Sequence, residues 1–295
     1  MKKSIEAYAK INLYLKVCSR MANGYHEIES IMQTVSLSDT VTLELNDKVS
    51  ENSADNEIII TSDDASLPTD KSNIAYKCAK KYFSRTKIRG KIVQIHIEKR
   101  IPKSGGLAGG STDGAAVLKL LNDMCGSHLS IAELCLVGAE VGADIPFCIV
   151  GGCCICRGIG DKLEKLEIPV PEYRVLIAES SEGVSTPEAY ALVDNLNTKK
   201  TEETNDKSFG EVMLSLKNGE IPRTMYNSFE NVILPIRHEA AQIKRGIISC
   251  GADIAMMSGS GPSVFGLFCD VEKLNAAQKH LRELGVRSHI CEFVL

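Results

Sequence analysis

The stretch Pro102-Lys-Ser-Gly-Gly-Leu-Ala-Gly-Gly-Ser-Thr-Asp-Gly-Ala-Ala116 decides how the rest of the chain is read. Four glycines, Gly105, Gly106, Gly109 and Gly110, precede a segment in which Val117, Leu121 and Met124 fall on one helical face. Residues without a Cβ let the backbone turn its N–H groups inward and let a large anion come close. Ser111, Thr112 or Asp113 is placed to cap the following helix, whose N-terminus carries roughly half a positive charge. A glycine loop that empties into a helix N-terminus is a phosphate cradle.

Two familiar phosphate loops do not fit. The P-loop needs Gly-Lys-Ser/Thr after its glycines, and here Ser111-Thr112 follows Gly110 with no lysine between. The dinucleotide fingerprint needs glycines at the first, third and sixth places, and no frame across Gly105 to Gly110 supplies them. Without further context, the same residues would serve as a turn between a strand over 92–98 and a helix.

Outward from this loop, composition sets bounds. A chain of 295 residues is long enough for about two domains. A net charge of −4 argues against an extended nucleic-acid surface, which needs a basic excess. No apolar run approaches the roughly 20 residues of a membrane span, so no membrane partner is expected. Met1-Lys-Lys-Ser-Ile-Glu6 enters a strand pattern without a signal-peptide core, which makes the cytoplasm the expected location. Among eleven cysteines, Cys153, Cys154 and Cys156 form the one dense cluster, without a second pair at zinc-finger spacing. They are expected to act as small buried hydrophobes.

The first segment alternates. Ala7, Ala9, Ile11, Leu13, Leu15 and Val17 face one way, and Tyr8, Lys10, Asn12, Tyr14 and Lys16 the other, as in a half-buried strand. Further strands are expected at 40–45, 57–61, 92–98, from 152 through 156, and at 173–178, 253–257, 263–268 and 288–294. Helices are expected at 72–84, 112–125, 130–141, 187–193, 209–216, 230–249 and 271–284, with Gly126 and Gly142 as stops. Thr186 as N-cap with Pro187 after it would start one of them. The polar stretch 195–207 reads as a loop. Strands and helices mix without strict alternation, which gives an α+β class.

The loop pattern Pro-x-x-x-Gly-Leu-x-Gly-Gly-Ser-Ser/Thr-Asp-x-Ala-Ala resembles the ATP loop of the GHMP small-molecule kinases. Other segments extend the likeness in order along nearly the whole chain. They are Ala9-Lys-Ile-Asn-Leu13 with Arg20-Met-Ala-Asn-Gly-Tyr-His26 and Glu29-Ser-Ile-Met-Gln33, then Gly142-Ala-Asp-Ile-Pro-Phe147, then Met257-Ser-Gly-Ser-Gly-Pro-Ser-Val-Phe265. Within the family, Gly24-Tyr25-His26 points to the branch that phosphorylates a cytidine diphosphate conjugate of methylerythritol. Asn23 stands where the family more often has Asp, and Gly114 where it more often has Ala.

The resemblance implies a two-domain GHMP kinase fold, 1–157 with the glycine-rich loop and 158–295, and an active site in the interdomain cleft. It implies ATP-dependent transfer to the 2-hydroxyl of the conjugate, in the non-mevalonate isoprenoid route, by a monomer or homodimer. Lys10 and Asp144 would carry the chemistry, Asp144 as base and Lys10 beside the acceptor hydroxyl or that carboxylate. Pro102, Lys103, Ser104, Gly105, Gly106, Leu107, Ala108, Gly109, Gly110, Ser111 and Thr112 would hold the nucleotide, with Asn73 and Lys99 nearby. Tyr25 and Tyr190 would wall a cytosine slot, His26 would read the base edge, and Asn12 and Thr186 would line the substrate. Mg2+ is implied by the reaction, but no carboxylate pair marks its protein ligands. The alternatives are a sibling kinase acting on homoserine or a mevalonate-type acceptor, and a silent nucleotide-binding regulator on the same fold.

Overall fold

Two long strands open the chain, β1 (Lys2–Arg20) and β2 (His26–Asp47), joined by a turn in which Gly24 takes a φ of 86°. The computed structural model describes residues 1–48, 55–103, 105–126, 129–170, 172–197 and 207–295. Ser104 and residues 198–206 of the expected polar loop lie outside the described residues. The alternation in β1 predicted one buried face, yet both faces are buried from Ala9 to Leu15, so Lys10, Asn12 and Tyr14 are not on a solvated side. The first half of β2 escaped the sequence reading for a related reason. Ser30, Gln33, Thr34, Ser38 and Asp39 are buried polar residues that break the apolar alternation.

The chain divides into two compact units, and β1 and β2 give one end to each. The first comprises Met1–Ala9, Leu37–Ile101 and Ala108–Val150. In it β2 pairs antiparallel with β4 (Lys91–Glu98), which pairs parallel with β3 (Glu57–Ser62). The register Leu43↔Ile95 and Leu45↔Val93 keeps apolar side chains together on one face. They share a core with Ala79 and Tyr82 of α1 (Ile74–Thr86) and Val117 and Leu121 of α2 (Gly109–Met124). Leu134 of α3 (Ile131–Ala139) and Ile149 of α4 (Ile145–Val150) complete that core.

Helix starts follow their caps. Asn73 Oδ1 accepts from Ala75 N at 2.8 Å ahead of α1, and Ser130 with Glu133 forms a capping box on α3. α2 differs. It begins at Gly109, not at 112, and its N-cap is Ala108, in the left-handed region with φ 60° and without a capping side chain. Ser111, Thr112 and Asp113 therefore lie inside the helix and none of them caps it.

Gly114 belongs to the packing of this unit. A Cβ there would stand 2.8 Å from Cys78 Sγ and 2.9 Å from Ile74 Cγ2. Alanine would gain up to about 1 kcal/mol of helix propensity, against about 1–3 kcal/mol for overpacking. Gly114→Ala is therefore expected to lower the melting temperature. An unchanged or higher value would show that α1 gives way without cost.

The second unit comprises Lys10–Ser36, Pro102–Leu107 and Gly151–Leu295. The first half of β2 pairs with β5 (Cys153–Arg157), β5 with β6 (Lys162–Leu166), and β1 with the short β8 (Tyr226–Asn227). A separate antiparallel sheet has the order β11-β7-β10-β9, formed by Ser288–Cys291, Arg174–Ala178, Val264–Phe268 and Ile254–Met257. Ile243 and Ile247 of one helix (His238–Ser249) and Leu274 and Leu281 of another (Val271–Glu283) pack against its Leu176, Val264 and Phe268.

In chain order the helices of this unit are α5 (Thr186–Asn197), α6 (Lys207–Lys217), α7 (Glu230–Ile233), α8 (His238–Ser249) and α9 (Val271–Glu283). The single helix expected over 230–249 is broken into α7 and α8. Pro235 has no N–H to continue the ladder. Thr186 is the first helical residue of α5, while Ser185 Oγ accepts from Glu188 N at 3.3 Å, so the cap is Ser185. The expected loop over 195–207 begins late, because α5 runs to Asn197. The fold is α+β, and Cys153, Cys154 and Cys156 are buried.

Candidate active site

In the second unit the glycine loop lies against a late turn of the chain. Gly106 takes a φ of 74°, and a Cβ on it would stand 2.0 Å from the carbonyl oxygen of Ser258. Ser258 Oγ donates to Gly106 O at 3.0 Å, and Ser263 N donates to Gly105 O at 3.3 Å. Asn227 fixes the late turn, its Nδ2 donating to Met257 O at 2.7 Å and Gly259 O at 2.9 Å. Leu107 is buried, with its carbonyl accepting from Lys10 N at 3.1 Å; Pro102 is half-buried and Lys103 exposed.

Lys10 is the buried cation of this region. Its Nζ donates to Asn12 Oδ1 at 2.7 Å, and a Cβ on Gly259 would lie 3.2 Å from that nitrogen. Asn12 Nδ2 donates to Ser30 Oγ at 2.9 Å, and Ser30 Oγ donates to Tyr14 O at 2.6 Å. The relay fixes which end of the Asn12 amide faces the lysine. The ammonium is thus held next to the Ser258–Gly259 turn, which itself abuts Gly106.

Tyr25, His26, Thr186 and Tyr190 lie in the same unit. Tyr25 is 61% exposed, so it is not a core residue. His26 is buried, and its ring stacks on Tyr190 at 4.7 Å between centroids and 14° between planes. The ring lying on Tyr190 is therefore His26. Phe229 meets Tyr190 edge-on at 5.0 Å. His26 Nε2 bonds Asp194 Oδ1 at 2.6 Å, and Thr186 Oγ1 lies 3.3 Å from Ser260 Oγ.

The first unit carries the remaining expected residues. The first helical bond of α2 runs from Thr112 N to Ala108 O at 2.9 Å, with Gly109, Gly110 and Ser111 ahead of it. Their amides lie at an uncapped helix N-terminus, where the dipole favours an anion. Lys99 Nζ would lie 3.5 Å from a Cβ on Gly109, and it donates to Asp39 and, at 2.8 Å, to Asp113. Asn73 spends its amide on the start of α1, with Nδ2 donating to Pro68 O at 2.6 Å. Asp144 is half-buried just ahead of α4, and its carbonyl accepts from Cys148 N at 3.1 Å.

Ser30, Asp39, Asp194 and Asn227 were missed in the sequence. Asp194 left a signal, since it stands four residues after Tyr190 on one helical face. Ser30 sits inside Glu29-Ser-Ile-Met-Gln33. Asp39 and Asn227 left none, because their partners come from remote segments.

The sequence matches the GHMP kinases N terminal domain over 73–152 and the GHMP kinases C terminal domain over 199–287. It is 41% identical over 282 residues to a 4-diphosphocytidyl-2-C-methyl-D-erythritol kinase of Caldicellulosiruptor saccharolyticus, covering 93% of this chain and 91% of the relative. This chain belongs to the GHMP kinase family.

The kinase is also 40% identical over 266 residues to the protein of that name from Clostridium tetani, with 90% of each chain covered. A crystal structure of 4-(cytidine 5'-diphospho)-2C-methyl-D-erythritol kinase superposes with a TM-score of 0.80, at 28% identity and 99% coverage of both chains. A homoserine kinase from Cytophaga hutchinsonii shares the fold, with a TM-score of 0.73 at 20% identity. Membership makes the chain an ATP-dependent small-molecule kinase. Among the described residues, no helix is long and apolar enough to cross a membrane.

Proposed function

We propose that this kinase transfers the γ-phosphoryl group of ATP to the 2-hydroxyl of 4-diphosphocytidyl-2-C-methyl-D-erythritol, in the non-mevalonate isoprenoid route. The observation that carries the nucleotide half is the uncapped start of α2, fed by a loop that only glycine fits at Gly106. The amides of Gly109, Gly110 and Ser111 receive phosphate oxygens, and Pro102 to Ala108 and Thr112 shape the loop around them. Lys99 stands beside Gly109, and Asn73 orders the start of α1. The acceptor half rests on Gly24-Tyr25-His26 and on the identity shared with the relatives above.

Phosphoryl transfer commonly passes through a loose transition state, so positioning and charge stabilisation supply most of the rate. Asp144 takes the proton of the acceptor hydroxyl as its bond to phosphorus forms. Lys10, oriented by Asn12, supplies positive charge at the acceptor oxygen. The helix N-terminus and glycine loop stabilise charge on the leaving phosphate.

Among the described residues, no group of three or more His, Cys, Asp or Glu side chains could hold a metal. That donor set fits an Mg2+ carried on the nucleotide phosphates, as Mg2+ commonly is, rather than one caged by protein. Such an ion neutralises phosphate charge when bound. The reading keeps the family-domain division at 157/158, between the two matched segments, and a cytoplasmic enzyme. ADP release with the cytidine conjugate, homoserine and mevalonate tests the acceptor. Turnover with the conjugate alone is expected; equal turnover with homoserine or mevalonate would return the assignment to family level, and none with any would favour a silent regulator.

Tyr25 gives a sharper test of the cytosine slot. Stacking on a base contributes about 1–3 kcal/mol, so Tyr25→Ala should weaken conjugate binding roughly 5- to 150-fold. Since Tyr25 is mostly exposed, its melting temperature and ATP affinity should hold. Phe at this position should recover nearly all of the loss. Unchanged conjugate affinity in Tyr25→Ala would remove this wall of the slot.

A further inference from the structure

Asp39, Lys99 and Asp113 form a buried trio that the mechanism above leaves without a task beyond placing Lys99. Their side chains are 0%, 6% and 2% exposed. Lys99 follows β4 at one end of the glycine loop, and Asp113 stands in α2 at the other. Lys99 Nζ donates to both carboxylates. Asp39 Oδ1 also accepts from Arg100 N at 2.6 Å and Ile101 N at 2.8 Å. Both ends of the loop therefore meet at the Lys99 ammonium, and Asp39 also holds the Arg100–Ile101 end.

The arrangement is not one that stability alone favours. Two buried carboxylates share a single cation, and Asp113 Oδ1 has no hydrogen-bond partner. Burial pushes the Asp113 carboxyl up to about 7, against the pull of Lys99 and helped by the charge of Asp39. Beside them, exposed Asp63 accepts from Lys99 N at 2.9 Å. A neutral residue of similar shape at 113 would relieve the excess charge.

We propose that Asp39 and Asp113 are positioning residues for the nucleotide. Acting through Lys99, they hold the end of β4 and the start of α2 at the spacing the loop needs, with the ammonium beside Gly109. The inference rests on the reading that this loop holds ATP.

The test is steady-state kinetics and melting of Asp113→Asn, with hydrogen exchange of the wild type. Asp113→Asn should raise the KM for ATP about tenfold, as expected for a small misplacement of a binding group. Turnover at saturating ATP and the KM for the conjugate should stay within about twofold, the signature of lost ATP binding alone. The melting temperature should hold or rise. An unchanged KM for ATP overturns the proposal. So does a variant that fails to fold, or one that melts lower with both KM values raised, since the trio would then be merely structural. Exchange separates this from the underlying reading. If a non-hydrolysable ATP analogue fails to protect the amides of 105–112 in the wild type, the loop reading itself is wrong. Protection there with an unchanged KM in Asp113→Asn removes only the positioning role.

Discussion

Asp144→Asn is expected to lower kcat by about 10²-fold while leaving ATP affinity and folding intact. The change removes the carboxylate charge at nearly constant shape. Loss of a general base commonly costs about 10²–10⁴ in rate. The low end applies because a loose transition state calls for proton removal late. Asp144 is half-buried ahead of α4 and followed by buried Ile145, Pro146 and Phe147, so Asn at that place exposes no new apolar surface. Lys10→Ala should also lower kcat, and it has a structural side effect, since Asn12 Oδ1 loses the donor that orients it. Lys10→Arg keeps the charge and separates the two contributions. Rapid-quench measurement of the transfer step at saturating substrates is the check. Wild-type kcat in Asp144→Asn or Lys10→Ala would take that residue out of the chemistry.

Gly106→Ala is expected to abolish useful ATP binding. Two independent effects act at this position. The backbone is in the left-handed region at φ 74°, where an L side chain is strained. The added Cβ would stand 2.0 Å from Ser258 O and 2.9 Å from Ser258 C, backbone atoms that Asn227 holds through its bonds to Met257 O and Gly259 O. The loop must then shift by about 1 Å, and a misplacement of that size can cost about 10²-fold. Ala108→Gly is the companion variant. It keeps the left-handed N-cap of α2 while removing its steric cost, so ATP affinity should not fall. Calorimetric titration with ATP checks both. Normal affinity in a folded Gly106→Ala protein would contradict the loop's part in holding phosphate.

How much of this was legible in the sequence depended on whether a signal was local. The glycine loop and the helices expected over 130–141 and 271–284 rest on local patterns, and the structure shows the loop, α3 and α9 there. The start of α2 was misplaced because glycines read as loop, whereas Gly109 and Gly110 are its first helical residues. They tolerate a helical start here because the first turn leaves its amides uncapped. Buried polar residues on β1 and β2 hid the extent of both strands, since alternation detects one solvated face and these stretches have none.

The site was legible by residue type more than by partner. Lys10 and Asn12 share a strand face and do bond each other. The stack of His26 on Tyr190 and the bond from His26 to Asp194 join segments far apart in the chain, and no spacing rule reports them. Lys99 illustrates the same limit. The resemblance puts Lys99 near the nucleotide without naming a partner, while the fold brings Asp39 and Asp113 to it.

The central claim is phosphoryl transfer from ATP to the 2-hydroxyl of the cytidine conjugate. Phosphorus NMR of the product mixture tests it most directly. The expected spectrum holds a new phosphomonoester signal beside an intact diphosphate pair, without coupling to a carbinol proton, since the 2-position carries a methyl group and no hydrogen. A monoester signal split by carbinol protons, or ADP formed with no new ester, would contradict it.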